Sequence, residues 1–142
     1  MLKDYILFED LVVFGTTYST NKYEMICASF VSMNKHSQNV MFGCGFVMCE
    51  KIESFVWLFR VFLESMVDKF PSMIMNDQAF SMAIAIEEVF PGVRHRLCCW
   101  HIIQNCKKNI GALRAKEGFT KAFNKVLMDC DTEEEFDYHW KW

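Results

Sequence analysis

The sequence lacks any apolar run long enough to span a bilayer, which excludes a transmembrane helix and argues for no membrane association. It lacks a secretory signal as well. Residues 1–10 carry Asp4, Glu9 and Asp10 and have no uninterrupted apolar stretch. Without such a signal, the seven cysteines read as reduced thiols of an intracellular protein, most of them packed as small hydrophobes. Positive charge is short too. Fifteen Lys and Arg against eighteen Asp and Glu give a net charge of −3, so no overall positive field draws the chain onto nucleic acid. DNA contact by this chain alone is expected to be local and weak. No internal repeat, low-complexity tract or linker appears.

What is abundant is apolar. Hydrophobic residues make up 52% of the 142, and fourteen are Phe, which suits a buried α/β sheet and argues against disorder. Leu11 to Phe14, Tyr23 to Met33 and Val40 to Met48 read as strands. The polar stretch Asn34 to Gln38 joins the last two into a hairpin. The period then turns helical: Phe55, Phe59, Phe62, Met66 and Phe70 form one stripe, and Pro71 is expected to end the helix. A short strand, Ser72 to Met75, leads through Asn76-Asp77-Gln78 into a helix striped by Ala79, Met82, Ala83, Ile86 and Phe90 and stopped by Pro91-Gly92. Val93 to Cys98 reads as a strand and Trp100 to Ile110 as a helix closed by Gly111. Two helices follow, one around Phe119 to Leu127. The other opens on a Thr132/Glu135 capping box, with Phe136 and Trp140 on one side. Hairpins first and βα units after fit an α/β ribonuclease-H-like mixed sheet flanked by helices, with a helical C-terminal extension; a flavodoxin-like fold would alternate strand and helix from the start.

Three stretches carry a family resemblance. The first is Phe14-Gly15-Thr16-Thr17-Tyr18 with Thr20-Asn21-Lys22-Tyr23. The second is Phe42-Gly43-Cys44 with the run Glu53 to Phe59. The third runs from Asp77-Gln78 through Val89-Phe90-Pro91 to Arg94-His95-Arg96-Leu97-Cys98 and Trp100-His101-Ile102. In order and spacing, from Leu11 to Asn109, they resemble the MULE (Mutator-like element) transposase domain of the plant far-red-impaired-response family. The resemblance implies a ribonuclease-H-like fold, descent from a cut-and-paste transposase, and a place among domesticated nuclear transcription regulators. It also implies that residues 1–112 are an incomplete transposase core and residues 113–142 the start of a helical insertion. The family's N-terminal DNA-binding zinc domain and C-terminal SWIM zinc finger are not in the sequence, so the chain is expected to be a piece of a larger pattern, with or without a function of its own.

In an active member of such a family, three acids hold a pair of Mg²⁺ ions about 4 Å apart that clamp the attacking and leaving oxygens. The first acid falls between Phe14 and Thr16. Here that residue is Gly15, which has no ligand to offer. The second matches Asp77, whose side chain is equally suited to capping the helix that follows. The third, a Glu, lies beyond the insertion; Glu133, Glu134 and Glu135 come too early. Asp4 or Asp10 could replace the first acid only after a register change, which leaves Glu9 and Asp10 at the strand entrance as the remaining substitutes. The expectation is therefore no resident cofactor, with Mg²⁺ only if the site were active, and a domesticated domain without catalysis. The alternatives are a Mg²⁺-dependent nuclease fragment, and an interaction module or non-functional fragment that meets protein partners through the C-terminal helices around Phe136 and Trp140.

Cys98 and His101 form the family's C-x-x-H motif at a strand-to-helix junction. It reads as a fold-ordering hydrogen bond, a DNA contact or half of a zinc site. Zinc needs four N or S ligands, and although Cys99, Cys106 and His95 are near, no second pair has finger spacing, so zinc is not expected. A Cys/His nucleophile would need a third orienting group that nothing in the sequence supplies. Arg94 and Arg96 share one face of a strand, and Lys107 and Lys108 sit on the next helix; these are the candidate phosphate contacts, with Lys116, Lys121 and Lys125 further on. The competing reading is a solvated charged face.

Overall fold

A computed structural model describes residues 2–19 and 21–141. Thr20, part of the first family motif, lies outside the described residues. Five strands form one mixed sheet: β1 (Val12–Thr17), β2 (Ile26–Met33), β3 (Asn39–Val47), β4 (Met73–Asn76) and β5 (Arg94–Leu97), in the order β3-β2-β1-β4-β5. β1, β2 and β3 are antiparallel neighbours, whereas β4 runs parallel to β1 and β5 parallel to β4. The helices are α1 (Leu2–Phe8), α2 (Ile52–Ser65), α3 (Phe80–Val89), α4 (Cys99–Asn109), α5 (Gly111–Arg114), α6 (Phe119–Met128) and α7 (Glu133–Trp140). This is the α/β architecture expected of a ribonuclease-H-like fold. The hairpin turn is closed by Asn34, whose side-chain oxygen accepts the N–H groups of His36 at 2.9 Å and Gln38 at 3.0 Å.

The chain divides into two compact units, Met1–Cys98 and Cys99–Trp142. In the first unit the alternating inward residues of β1 and β2 meet the stripe of α2. Phe14 lies 4.7 Å from Phe59 edge to face, and Phe30 stacks on Phe62 at 3.9 Å between centroids. Gly45 of β3 faces this helix so closely that a Cβ would stand 2.5 Å from Leu58 Cδ1. In the second unit, α4, α6 and α7 contain no buried residue.

One element was not anticipated from the sequence, and one expectation needs correction. The N-terminal residues form a helix, α1, that no periodicity announced. Tyr5 is fully buried, packs edge to face on Phe42 and Phe62, and donates its hydroxyl to the Lys69 carbonyl at 2.7 Å. Pro71 does not end α2. The helix stops at Ser65, with Met66 as C-cap and Val67 and Asp68 both left-handed (φ 57° and 56°). The Asp68 N–H reaches the Leu63 carbonyl and the Val67 N–H the Glu64 carbonyl, the bond pair of a Schellman motif. Phe70 therefore leaves the helical stripe and is 41% exposed.

Candidate functional site

The two positions matched to paired acids sit on adjacent parallel strands. Val12 pairs with Ile74 and Val13 with Met75. Gly15 lies two residues beyond the last paired residue of β1, and Asp77 directly follows the end of β4, so both stand on the carboxyl side of the paired segment. The carboxyl ends of strands are where open α/β sheets place their ligands. Asn76 pairs with Leu97, so the same row continues to Cys98.

A Cβ built on Gly15 meets nothing within 4 Å, so this place has room for a side chain but carries none. Asp77 is half-buried, and its Oδ1 accepts the N–H of Ala79 at 3.0 Å. That bond closes the turn into α3, whose N-cap, Ala79, has no side-chain bond of its own. The carboxylate thus serves the backbone at a helix entry. The donor set does not fit a pair of divalent ions: Gly15 offers no carboxylate, and no group of three His, Cys, Asp or Glu able to hold a metal ion exists among the described residues.

Glu9 does not replace the missing acid. The Ser72 N–H donates to the Glu9 carbonyl at 3.1 Å, and Glu9 Oε2 pairs with Lys69 at 2.8 Å. These contacts hold Glu9 where β1 and β4 begin, at the opposite edge of the sheet from Gly15. A different carboxylate, Glu50, which the sequence reading passed over, stands at the carboxyl edge. It accepts a hydrogen bond from the Tyr18 hydroxyl just beyond β1. Partial burial raises the Tyr18 pKa, the bond to Glu50 raises it further, and the fields of Glu50 and Asp77 act in the same direction while Thr16 opposes. No local pattern reveals this neighbourhood, because Tyr18 and Glu50 are 32 residues apart in sequence.

Behind Asp77 lies a second polar group that the sequence did not announce. Asn76 is 1% exposed. Its Oδ1 is hydrogen-bonded to His95 Nε2, its Nδ2 donates to Met82 Sδ at 3.4 Å, and its carbonyl accepts the Cys98 N–H at 2.8 Å. Asn76 therefore ties β4 to β5 and α3 through its side-chain amide, and to the first residue of the C-x-x-H motif through its backbone carbonyl. Cys98 closes the first unit, and His101 belongs to the second. The ring of His101 packs edge to face on Trp100 at 4.8 Å, and its Nδ1 is buried with no hydrogen-bond partner among the described residues. All seven cysteines are free thiols.

Among the cations, Arg94 and Arg96 are exposed and share a face of β5, in register with Met73 and Met75. His95 turns the other way, toward Asn76. Lys107 and Lys108 lie in the last turn of α4, in the second unit, where they also complement the helix dipole. No helix among the described residues is long and apolar enough to cross a membrane.

Comparison with known proteins places these features. Residues 11–105 match the MULE transposase domain. The chain is 37% identical over 140 residues to Protein FAR1-RELATED SEQUENCE 5 of Arabidopsis thaliana, covering 98% of this chain and 18% of that protein. It is 34% identical over 138 residues to Protein FAR-RED IMPAIRED RESPONSE 1 of the same plant, covering 96% and 17%. With Protein FAR1-RELATED SEQUENCE 9 it shares 30% identity, over 96% of this chain and 26% of that protein. The chain therefore spans about a fifth of the length of the curated relatives it matches.

Proposed function

The chain belongs to the MULE transposase domain family, and we propose that it is a domesticated, non-cleaving form of that domain, working in a nuclear, transcription-regulating context. The observation that carries this reading is Gly15 beside Asp77. The edge that would hold the metal pair of an active relative has one acid where two adjacent strands should each supply one. The surviving Asp77 is engaged in a helix-entry turn, and Glu9 at the strand entrance lies at the wrong edge. Similarity to FAR-RED IMPAIRED RESPONSE 1 and its related sequences supports the regulatory and nuclear parts of the reading.

Regulation without cleavage leaves the fold two jobs: presenting surfaces to partners and holding charged residues against nucleic acid. Arg94 and Arg96 on the β5 edge suit the second, as point contacts to phosphate. The test is incubation of the purified chain with supercoiled DNA in Mg²⁺ or Mn²⁺. The DNA remains intact under this reading, and cleavage abolished by Asp77→Ala would overturn it.

A further inference from the structure

The second unit separates its charges. From Cys99 to Met128 the chain carries Lys107, Lys108, Arg114, Lys116, Lys121 and Lys125 against a single acid, Glu117. From Asp129 onward the balance reverses, with Asp129, Asp131, Glu133, Glu134, Glu135 and Asp137 against Lys141. An overall charge of −3 hides this division. The fold then gathers three of the cations. Lys116, Lys121 and Lys125 line one open groove of about 630 Å³ together with Thr120, Asn124 and Asp129. All three lysines are exposed, and none is engaged in an ion pair or a side-chain hydrogen bond among the described residues.

We propose that this Lys116/Lys121/Lys125 groove is a nucleic-acid backbone site, binding phosphates without reading bases. Lys121 and Lys125 are one helical turn apart, roughly 6 Å between their Cβ atoms, a regular spacing suited to a repeating polyanion. Thr120 and Asn124 add the neutral donors that commonly complete phosphate contacts. The amino end of α6 adds to the attraction: its N-cap, Gly118, offers no side-chain bond, and no acid occupies the first turn to offset the helix dipole. A lipid surface fits less well, because Phe119, Phe123 and Val126 of α6 line a different groove, with His139 and Trp140 of α7. Lys116 borders that apolar groove as well, but Lys121 and Lys125 line only the polar one, so two of the three cations have no apolar anchor beside them of the kind that holds an interfacial helix in a membrane. Of the acids, Glu117 lines the apolar groove that Lys116 also borders, and Asp129 is the one acid in the groove that all three lysines share.

This inference does not depend on the loss of cleavage, and its test is separate. Fluorescence anisotropy of the whole chain with a labelled 20-base-pair DNA duplex, and with single-stranded RNA of equal length, is measured as salt is raised. Binding at low salt is expected to weaken steeply. Changing Lys116, Lys121 and Lys125 together to Gln should lower affinity about tenfold or more and reduce the slope of log K against log salt by about 2.7 on the duplex and about 2 on the single strand. Changing all three to Arg should preserve binding, and the pair Arg94→Gln with Arg96→Gln should leave the loss caused by the lysine variant intact. Circular dichroism checks that the helices of each variant remain. Absence of binding to either probe at low salt overturns the proposal, as does a Gln variant with wild-type affinity and slope. A preference between the two probes identifies which nucleic acid the groove suits.

Discussion

The buried side-chain oxygen of Asn76 is hydrogen-bonded to Nε2 of His95, one residue before the carboxylate that the family pattern matches. The contact couples strand-edge geometry to a titratable ring. Partial burial lowers the His95 pKa below its ordinary 6.5, the neighbouring Arg96 lowers it further, and Glu87 on α3 opposes both. In the window between the lowered pKa and 6.5 the unfolded chain binds more protons than the folded one. The contribution of neutral His95 is therefore complete above pH 6.5 and is lost as pH falls through the folded-state value. Denaturant midpoints between pH 5 and 8 should decline on the acid side. His95→Gln, which keeps an N–H donor for Asn76, should flatten that decline. An unchanged profile in the variant would assign the acid sensitivity to other groups.

Val67 is a β-branched residue held at φ 57° in the C′ position of α2 and is 69% exposed. Glycine suits that conformation and valine does not. Val67→Gly should stabilise the chain by roughly 1 kcal/mol, read as a raised urea midpoint at constant slope. A loss of stability would mean that the Val67 side chain makes a contact worth more than its strain.

Gly45 has the opposite requirement. Its backbone conformation is ordinary, but a Cβ would meet Leu58 Cδ1 at 2.5 Å. Leu58 is 5% exposed and cannot swing into solvent, so Gly45→Ala should cost about 1–3 kcal/mol through overpacking. The double variant Gly45→Ala with Leu58→Val, which retracts the obstructing methyl, should cost less than the sum of the two single changes.

Gly15→Asp should fold, because nothing lies within 4 Å of the new Cβ. It sets a second carboxylate beside Asp77, and two like charges at that distance raise the pKa of at least one of them. NMR titration of the variant should show a carboxyl pKa above the usual range that falls when Mg²⁺ is added. Cleavage should still be absent, because no third acid completes the set.

The sequence exposed the fold best where periodicity was strong and local. The Phe55/Phe59/Phe62 stripe, the β-rich run from Tyr23 to Met33 and the Asn34–Gln38 turn each depend on neighbours a few residues away, and each formed as its pattern suggested. Where long-range packing decided, the pattern was silent. α1 is fixed by Tyr5 reaching Lys69 across 64 residues, and α2 ended at a left-handed Val67 that propensity would not choose. At the candidate site, Gly15 and Asp77 were identified by matching motifs; the strand that carries the one and the strand that leads to the other are parallel neighbours. Asn76 looked like an ordinary turn residue in sequence; its burial and its bonds to β5 and α3 appear only when the strands are assembled. Glu50 was hidden for the same reason.

The most direct test of the account is divalent-metal-dependent nicking of supercoiled DNA by the purified chain, in Mg²⁺ and in Mn²⁺, beside Asp77→Ala and Gly15→Asp. No nicking above the protein-free control is predicted for any of the three: the unaltered chain has a lone carboxylate that holds Mg²⁺ weakly, Asp77→Ala has none, and Gly15→Asp still has no third acid to complete the set. Nicking by the unaltered chain that disappears in Asp77→Ala would contradict it, and would mean that the carboxyl edge of β1 and β4 still assembles a working site.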